Sequence, residues 1–562
     1  MNTYSFCQSV SVLNSLFFCI KNKLELLFGD KKDILFIKNK GCEKKKLNFR
    51  DYKDKVMGCW AGKNIGGVLG APFEGHRQIN QAEFYVQDLS MGPPPNDDLD
   101  LQIIWLAAVE RYGRNVSASI LGEYWLSFVI PNWVEYGTGK ANMRSGLRPP
   151  LSGIVNNVYG NSCGCFIRSE IWACLAPGHP EIAAKYAYED AIVDHYGEGM
   201  YGEIFFAALQ SAAFINSDIR ELIEIGLSYI PDDSSMSRAI RKAVECYDNK
   251  VDILQARKII HNTVPGTFGI QGKKLKDIKT EGNEGMELGA PGFDAPENVA
   301  FAIAGWLYGE GDFGESIVLA NSLGEDTDCT CATLGATMGI IMGEKALPDR
   351  WKSPLNDKIV TMCIAGGVWI PKTTHELTEK VIRIMPSFLG LEYCDIFAKD
   401  GMIITCSEPN ELRAPAQPEY LPGINSHCKD GEICAADLPL LSPYTVKYEY
   451  PSFRVLIDYG ESVYFRKGEN KKIGVKVFNA FYLEQQQWVE IRAYAPAGVE
   501  ILNGKCFRLP LNNLSGSCAE TAFEINTDGY EEGKLEILIQ IALIGRHSNE
   551  AVAVTLMRAP VM

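Results

Sequence analysis

The 562-residue chain lacks the features that mark several classes of protein. It has no C-x-x-C pair, and its seventeen scattered cysteines, an odd number, do not suggest a disulfide framework. It also lacks an excess of basic residues, and a net charge of -15 makes it a poor general nucleic-acid binder. We therefore predict a cytoplasmic protein that acts on a small-molecule or protein substrate and binds no nucleic acid.

The N-terminal region lacks an apolar run long enough to cross a bilayer. Residues 10–20 are apolar, but eleven residues cannot span the hydrocarbon core. No basic stretch precedes this run and no convincing cleavage site follows it, which argues against a secretory signal. A lysine-rich stretch follows, so we predict that residues 1–48 form a loosely attached extension without stable membrane insertion. An amphipathic helix that touches a membrane is the alternative.

Strand patterns are scarce between residues 49 and 404, where apolar residues recur at helical spacing. The run at residues 299–308 is almost wholly apolar, which is typical of a buried helix. The sequence therefore predicts an all-α domain over residues 49–404. Residues 405–445 are rich in Pro, Asn, Ser and Gly and lose regular periodicity, which predicts a linker.

The last part of the chain, residues 446–562, alternates apolar and polar residues. The alternating runs lie at residues 473–477, 489–493, 535–541 and 552–556. Strands of period two that are separated by Gly, Asn and Asp turns predict an antiparallel β-sandwich. The predicted fold class is therefore multi-domain, with a helical domain followed by a C-terminal β-sandwich.

Two segments carry a glycine at every fourth residue. The positions are 58, 62, 66 and 70 in the first segment and 335, 339 and 343 in the second. Glycine costs roughly 1 kcal/mol in a helix interior, and close packing of a second backbone on the glycine face offsets that cost. A phosphate-binding P-loop is excluded in the first segment, because Asn64 follows Lys63 where Ser or Thr is needed. We predict a close helix contact at each segment.

Two acidic clusters, more than two hundred residues apart, each begin a helix-like apolar run. They are Asn96-Asp97-Asp98-Leu99-Asp100 and Gly324-Glu325-Asp326-Thr327-Asp328. Helix capping explains either cluster on its own. An EF-hand is excluded for the first, because Leu101 and Ala107 stand where Gly and Glu are required. If the fold brings the clusters together, their oxygens form a pocket for Mg²⁺, Mn²⁺ or Ca²⁺.

Three further features have a structural and a chemical interpretation. Residues 160–164 match G-x-S-x-G, but the βαβ context of a nucleophile elbow is missing, so a serine hydrolase is the weaker interpretation. His195 is more often a hydrogen-bonded structural histidine than a catalytic one. Glu74, on the turn after the first glycine-rich helix, is either a solvated surface acid or the carboxylate that works on a water at the metal.

The cysteines include two C-x-C pairs. They are Cys163/Cys165 and Cys329/Cys331. This spacing is unusual for structural zinc, so we predict buried small apolar residues at all four positions.

Three segments together resemble the ADP-ribosylglycohydrolase family, which includes dinitrogenase-reductase-activating glycohydrolase and the ADP-ribosyl-acceptor hydrolases. Residues 66–75, which end in Gly-Ala-Pro-Phe-Glu-Gly, resemble the family's first glycine-rich helix and its gating glutamate. Asn96-Asp97-Asp98 resembles its Thr-Asp-Asp metal motif. Residues 324–351 resemble its closing motif, and the resemblance as a whole covers residues 50–390.

The resemblance implies a hydrolase that cleaves the glycosidic bond of an ADP-ribosyl or related ribosyl group. It implies Glu74 and Asp97 as catalytic residues. It implies two divalent cations, Mg²⁺ or Mn²⁺, held by Asn96, Asp97, Asp98, Asp326 and Asp328. Gly160, Asn161 and Arg168 resemble the loop that holds ADP-ribose, and with Ser162 and His195 they are the predicted substrate-binding residues. The substrate is then an ADP-ribosylated protein or a small ADP-ribosyl compound.

The sequence departs from the family pattern at two ligand positions. Asn96 replaces the usual threonine, and its amide oxygen can still bind a hard cation. Cys329 replaces the threonine that often follows the second aspartate, and a thiol is a poor ligand for magnesium. Asp100 is an additional acid. These differences leave two alternatives open, a non-catalytic binding protein on the same scaffold and a hydrolase of another ribosyl or glycosyl compound.

Overall fold

The chain divides into a helical region and a region of strands. The computed structural model describes residues 45–264, 279–283, 286–288, 292–399, 401–414, 434–479, 486–512 and 518–560. The predicted extension at residues 1–48 lies almost entirely outside the described residues. The predicted fold class, helices followed by antiparallel sheets, is confirmed.

Helices dominate from residue 49 to residue 389. They are α1 (Phe49–Gly70), α2 (Asp97–Tyr112), α3 (Ala118–Phe128), α4 (Val134–Arg144), α5 (Leu151–Ile154), α6 (Ser169–Leu175), α7 (Pro180–Ala191), α8 (Gly197–Ala213), α9 (Ile219–Leu227), α10 (Ser235–Asp248), α11 (Ile253–Thr263), α12 (Ala295–Tyr308), α13 (Phe313–Ser322), α14 (Thr327–Met342), α15 (Asp349–Lys352) and α16 (Thr374–Leu389). Within the described residues, no helix combines the length and apolarity needed to cross a membrane.

The strands form two large sheets and two small ones. They are β1 (Lys46–Asn48), β2 (Lys279–Asn283), β3 (Met286–Leu288), β4 (Cys394–Asp395), β5 (Ile403–Thr405), β6 (Thr445–Glu449), β7 (Phe453–Asp458), β8 (Tyr464–Phe465), β9 (Asn470–Asn479), β10 (Gln487–Tyr494), β11 (Glu500–Ile501), β12 (Cys506–Leu511), β13 (Cys518–Asn526), β14 (Lys534–Leu543) and β15 (Asn549–Arg558). The small sheets are β1-β5-β4 and β2-β3.

Two five-stranded sheets enclose one apolar core. Their strand orders are β12-β10-β14-β15-β8 and β11-β13-β9-β7-β6, and all pairs are antiparallel except β15 with β8. The alternation read from the sequence matches the burial. In β14, for example, Leu535, Ile537 and Ile539 are buried while the residues between them face outward. Side chains of both sheets meet in this core, as in a sandwich.

Helices α1 and α14 pack backbone against backbone. A Cβ atom on Gly62 would clash with the carbonyl oxygen of Gly335, and one on Gly66 would clash with that of Cys331. Glycine is therefore required for this approach, as its spacing predicts. The end of α1 lies beside the start of α14, where Thr327 Oγ1 donates a hydrogen bond of 2.8 Å to the carbonyl oxygen of Gly70.

Gly343 was expected in the second glycine row, but it lies outside α14. The helix ends at Met342, and Gly343 follows it with φ of +78°. A left-handed residue directly after a helix is a common C-terminal stop, and glycine adopts it without a steric penalty. This glycine therefore ends the helix, and it still lies against α1, where a Cβ atom on it would meet the carboxylate of Asp54.

The sheet core extends into the helical region. Leu147, Leu151 and Val155 are buried in the same apolar cluster as the inward side chains of the two sheets. An ion pair between Lys447 and Glu189 joins the two regions a second time. The loop that follows α5 leads directly to the predicted substrate residues at 160–162. The domain limits at residues 404 and 446 stay predictions.

The described part of the predicted linker packs on the helices. Cys406, Ala435 and Leu438 are buried and belong to the helical apolar core. This is the arrangement of a segment that covers the helical core, rather than of a free tether.

Candidate active site

Glu74 is positioned by the end of α1. After Gly70, residues Ala71–Phe73 form one 3₁₀ turn, and Glu74 follows directly. Because α1 lies against α14, this turn lies beside the second acidic cluster. The backbone N–H of Gly75 donates to the carbonyl oxygen of Glu325 at 3.0 Å.

The first acidic cluster begins α2, and Asn96 caps this helix. Its side-chain oxygen accepts a hydrogen bond of 2.8 Å from the backbone N–H of Asp98. Asp97 accepts a hydrogen bond of 3.1 Å from the hydroxyl of Tyr136. Asp98 is buried, with the ammonium of Lys63 at 3.8 Å from its Oδ2 atom. Capping therefore accounts for Asn96, whereas the two aspartates contact side chains outside α2.

The second acidic cluster begins α14, but it does not cap the helix. Asp326 stands at the cap position and makes no side-chain capping hydrogen bond. Asp312, at the start of the preceding helix α13, does cap, since it accepts from Glu315 N at 2.8 Å. The backbone N–H of Asp326 instead donates to Asn298 Oδ1 at 3.0 Å. The carboxylate of Asp326 is thus free to face the first cluster.

The two clusters converge in three overlapping groups. In each group, one potential ligand atom per residue lies within 4.8 Å of the others. The groups are Glu74 with Asp326 and Asp328, Asp98 with Asp328 and Cys329, and Cys163 with Asp326 and Cys329. Glu74, Asp98 and Cys163 are distant in sequence from Asp326, Asp328 and Cys329, so the fold, rather than local sequence, builds the cluster.

The donors fit a divalent cation. Oδ1 of Asp326 and Oδ1 of Asp328 are buried and have no hydrogen-bond partner among the described residues. A buried, unsatisfied carboxylate oxygen is costly, and an ion is one of the ordinary reasons for its presence. Oxygen donors of this kind suit Mg²⁺ and Mn²⁺. Glu74, Asp326, Asp328 and Asp98 would hold such ions.

Crowding of acids perturbs their protonation. Burial, followed by the negative charges of Asp326 and Asp97, raises the pKa of Glu74 to about 7. Burial raises the pKa of Asp328 well above its ordinary value, and Asp326 and Glu74 add to this shift. These are the shifts expected when carboxylates gather without a compensating cation.

A cavity of about 240 Å³ opens onto the cluster. Its lining includes acids, aromatic rings and the two cysteines near the acids. These residues are Glu74, Asp97, Trp133, Val134, Glu135, Tyr136, Tyr159, Ser162, Cys163, Gly164, Ile167, Phe293, Asp326, Asp328 and Cys329. Glu74 lines the cavity while the residue as a whole remains exposed, so the acid lies between solvent and the buried donors.

A buried ion pair ties the Glu74 segment to the second cluster. Arg77 Nε donates to Glu325 Oε1 at 2.6 Å, and Gly292 N donates to Glu325 Oε2 at 2.6 Å. Glu325 adopts φ of +67°, a left-handed conformation that non-glycine residues seldom hold. Its side chain makes these bonds from that conformation, which explains why a glutamate occupies the position.

Three of the predicted substrate residues form one series of close polar contacts that starts at the cavity. Ser162 lines the cavity, and its Oγ lies 3.0 Å from His195 Nε2. His195 Nδ1 lies 2.9 Å from Asp194 Oδ1, and Arg168 donates to the same oxygen at 2.9 Å. Burial lowers the pKa of His195, so its neutral form is favoured. Ser162 alone faces the cavity, while His195 and Arg168 lie fully buried behind it.

Gly160 and Asn161 make structural contacts. A Cβ on Gly160 would clash with the ring of Tyr196, so glycine lets that ring pack. The side-chain oxygen of Asn161 accepts from the backbone N–H of Glu198 at 2.9 Å. Both residues therefore shape the turn that presents Ser162.

Ser162, His195 and Asp194 follow one another in the order of a Ser-His-Asp triad, but Nδ1 of His195 makes no hydrogen bond to Asp194 in the described chain. An acyl-transfer site also needs N–H donors for the oxyanion, ordinarily including that of the residue after the nucleophile. Here the N–H of Cys163 already donates to the carbonyl oxygen of Phe293 at 2.9 Å. The serine-hydrolase interpretation therefore remains the weaker one.

Several residues at the cavity could not be predicted from the sequence. Glu135, in the first turn of α4, is buried, and burial followed by the charge of Asp194 raises its pKa to about 8. Its Oε2 atom has no hydrogen-bond partner in the described part of the chain. Conversely, the carboxylate of Asp100 accepts from the backbone N–H groups of Met362 and Cys363, and Asp100 does not line the cavity.

Comparison with known proteins places this site in a family. The model of the ADP-ribosylglycohydrolase family matches residues 49–383, which include all the predicted site residues. The chain belongs to the ADP-ribosylglycohydrolase family. The family assignment covers the helical region and excludes the two large sheets.

The individual relatives of this chain are distant. An uncharacterized protein of Archaeoglobus fulgidus is 24% identical over 319 residues, which cover 54% of this chain and 93% of the relative. A solved structure described as an ADP-ribosylglycohydrolase-related protein complex shares 19% identity. It covers 61% of this chain and 100% of its own, with a TM-score of 0.40.

Proposed function

We propose that the protein hydrolyses the glycosidic bond of an ADP-ribosyl or related ribosyl group, with two divalent cations, Mg²⁺ or Mn²⁺. The observation that carries this proposal is the convergence of Glu74, Asp98, Asp326 and Asp328 on one cavity in a chain of this family. The substrate is an ADP-ribosylated protein or a small ADP-ribosyl compound, and nucleic acid is not expected as a partner. The described cysteines are free thiols, which supports a cytoplasmic location.

Each residue has a proposed role. The bound cations would supply positive charge that polarises the ribose hydroxyls and a water molecule. Glu74 takes the proton from the attacking water, since it lies between solvent and the buried acids. Asp97 holds the first cluster in place through Tyr136 and contributes charge beside the reacting carbon.

Ser162 is the proposed contact to the substrate on the opposite wall. His195 and Asp194 fix the orientation of its hydroxyl, and Arg168 holds Asp194. In this proposal Arg168 and His195 act through Ser162, while Gly160 and Asn161 shape the loop.

A hydrolase of a smaller ribosyl compound is the second candidate. The cavity of about 240 Å³ is smaller than the roughly 300–1,000 Å³ typical of pockets that enclose drug-sized ligands. A volume of this size suits a single sugar with its leaving group at the mouth. Free ADP-ribose released from guanidino, hydroxyl and carboxyl acceptors supports the first candidate. Release of ribose or a ribose phosphate from simple nucleosides and nucleotides supports the second.

The metal centre is tested by Asp328→Asn with Asp312→Asn as its matched control. Both aspartates lie at the start of a helix, but only Asp312 makes a capping hydrogen bond. We expect Mn²⁺ to raise the unfolding temperature of the wild type and of the Asp312 variant, and to leave the Asp328 variant unchanged. A non-catalytic binding protein that has lost its metals would show no shift in any of the three.

Glu74→Gln tests the proton-transfer role. The substitution keeps the shape of the side chain and removes its basicity. We expect turnover to fall about 10²- to 10⁴-fold, the usual worth of general acid–base assistance, while the Mn²⁺-induced thermal shift persists. If turnover stays normal while the shift disappears, Glu74 is a metal ligand only.

A further inference from the structure

The two C-x-C pairs place one cysteine each at the acidic cluster. Cys163 Sγ donates to Asp326 Oδ2 at 2.5 Å, and Cys329 Sγ lies 3.7 Å from Asp98 Oδ1. Both residues line the cavity. The other cysteine of each pair makes its contacts outside the site. Cys165 donates to Glu203, and Cys331 donates to the carbonyl oxygen of Ile317. Each pair thus contains one cysteine at the site and one equally buried cysteine outside it.

The donor atoms of Cys163, Cys329 and Asp326 lie within 4.8 Å of one another. Tetrahedral zinc, with Zn–S bonds near 2.3 Å and Zn–O bonds near 2.1 Å, separates its ligand atoms by roughly 3.6 Å. The three donors can reach that spacing with small side-chain shifts. Two sulfurs and one carboxylate oxygen form the mixed, partly soft donor set that zinc takes in proteins.

A second observation points to an ion at the same place. Asp326 belongs both to this sulfur-containing group and to the oxygen group of Glu74 and Asp328. While Oδ2 of Asp326 accepts from Cys163, its buried Oδ1 has no hydrogen-bond partner within the described chain. A carboxylate that belongs to both groups would be suited to contact an ion in each of them.

We propose that the position bounded by Cys163, Asp326 and Cys329 binds a thiophilic divalent ion, zinc, beside the oxygen-ligated position of Glu74, Asp326 and Asp328. The centre is then mixed, with one soft and one hard metal position. On binding, each thiol releases its proton to solvent and each sulfur forms a bond to the ion, so charge and atoms balance. The proposal concerns metal choice and does not depend on which glycosidic bond is cleaved.

Cobalt substitution tests the proposal with a readout other than activity. Co²⁺ bound to thiolate gives an intense sulfur-to-metal charge-transfer absorption in the near ultraviolet, which oxygen ligands do not give. We expect the metal-free wild type to develop this band with Co²⁺ and to lose it when one equivalent of Zn²⁺ is added. Absence of the band at saturating Co²⁺ would overturn the proposal.

Four variants separate the two cysteines at the site from their neighbours. Cys163→Ser and Cys329→Thr are expected to lose at least half of the band intensity. Cys165→Ser and Cys331→Ser, at equally buried positions, are expected to keep it. Equal loss in all four variants would show that the band reports general damage or a site elsewhere, and would also overturn the proposal.

Labelling of the wild type keeps the test valid if a variant fails to fold. Iodoacetamide followed by peptide mass spectrometry reports the alkylation of each cysteine, with and without Zn²⁺. We expect Zn²⁺ to slow alkylation of Cys163 and Cys329 at least tenfold and to leave Cys165 and Cys331 unchanged. A Cys163–Cys329 disulfide in freshly purified protein, or equal labelling with and without Zn²⁺, would contradict the proposal.

The outcomes distinguish this inference from the proposed function. A thiolate–cobalt band in a protein without any ribosyl-hydrolase activity keeps the metal assignment and removes the proposed reaction. Full activity with Mg²⁺ or Mn²⁺ and no thiolate band keeps the reaction and removes the soft metal position.

Discussion

The helical region buries many charged side chains, whereas the core between the two large sheets is almost wholly apolar. Arg168, Asp194 and Asp326 are all buried among helices. Among the described residues of the sheet region from β6 to β15, the buried polar residues are Gln487, Thr527 and Thr555, none of them charged. Burying charge is costly unless every partner is in place, whereas burying aliphatic groups is favourable. The buried charges at the site therefore lower the stability of the helical region, whereas the apolar core between the sheets raises the stability of the chain.

The largest effect is expected from removing the sheets. Deletion of residues 446–562 exposes Leu147, Leu151 and Val155, which are buried in the sheet core. At roughly 1.5–3 kcal/mol for each aliphatic side chain, we expect the free energy of unfolding of the helical region to fall by on the order of 5 kcal/mol. Thermal unfolding followed by far-ultraviolet circular dichroism, which reports helix content, measures this loss of stability.

Leu151→Ala is the control for this deletion. In the full chain it should cost about 2–5 kcal/mol, because a buried leucine leaves a cavity. In the shortened chain it should cost almost nothing, because the side chain is already exposed. An unchanged unfolding temperature after deletion would show that the two regions are independent.

A slightly smaller effect is expected from breaking the buried ion pairs of Arg168. Arg168→Leu leaves Asp190 and Asp194 buried without their cation, and we expect a loss of about 3–5 kcal/mol in urea unfolding. Adding Asp194→Asn should recover part of that loss, since it removes one uncompensated charge. Unchanged stability with weakened ligand binding would instead make Arg168 a direct substrate contact.

Widening the contact between α1 and α14 should have an intermediate effect. Gly66→Ala places a methyl group against the carbonyl oxygen of Cys331, so the helices must separate. We expect a loss of about 1–3 kcal/mol, the usual cost of overpacking, together with a smaller Mn²⁺-induced thermal shift. Gly533→Ala in the sheet region, where nothing lies near the added methyl group, should change neither. Equal effects of both substitutions would refute the close-contact argument.

The smallest effect is expected from an exposed ion pair of the sheets. Lys476 and Glu520 face each other across β9 and β13 at 3.6 Å. Lys476→Ala should lower the free energy of unfolding by less than about 1 kcal/mol and by less still in high salt. A loss as large as that for Arg168→Leu would erase the contrast between the two regions.

Much of the fold could be predicted from local patterns. The glycine spacing in α1 and α14 predicted a close contact, and the alternation at residues 473–477 and 535–541 predicted strands of two packed sheets. These patterns work because helix and strand periodicity place side chains on one face. Gly343 lies against α1 as its spacing predicts, but spacing alone does not show that it also ends α14.

The composition of the site was less predictable. The acids at residues 97–98 and 326–328 could be recognised because they cluster in the sequence. Glu135 stands alone, and the C-x-C pair of Cys163 predicted only buried apolar residues. Cys163 meets Asp326 only because α14 and the loop before α6 face the same cavity. Likewise, nothing local shows that Leu151 belongs to the sheet core. Such contacts arise from tertiary packing, which periodicity does not encode.

The Arg77–Glu325 pair has a consequence for how quickly ions exchange. It joins the segment after Glu74 to the residue before Asp326, and Glu325 keeps this link at φ of +67°. Two donors from distant parts of the chain are thereby held at their working separation before an ion arrives. Little chain entropy is then lost on binding. We therefore expect the rate of metal uptake to be limited by loss of water from the ion and not by movement of the loop. Mg²⁺ should bind slowly for this reason, because it loses its water ligands reluctantly.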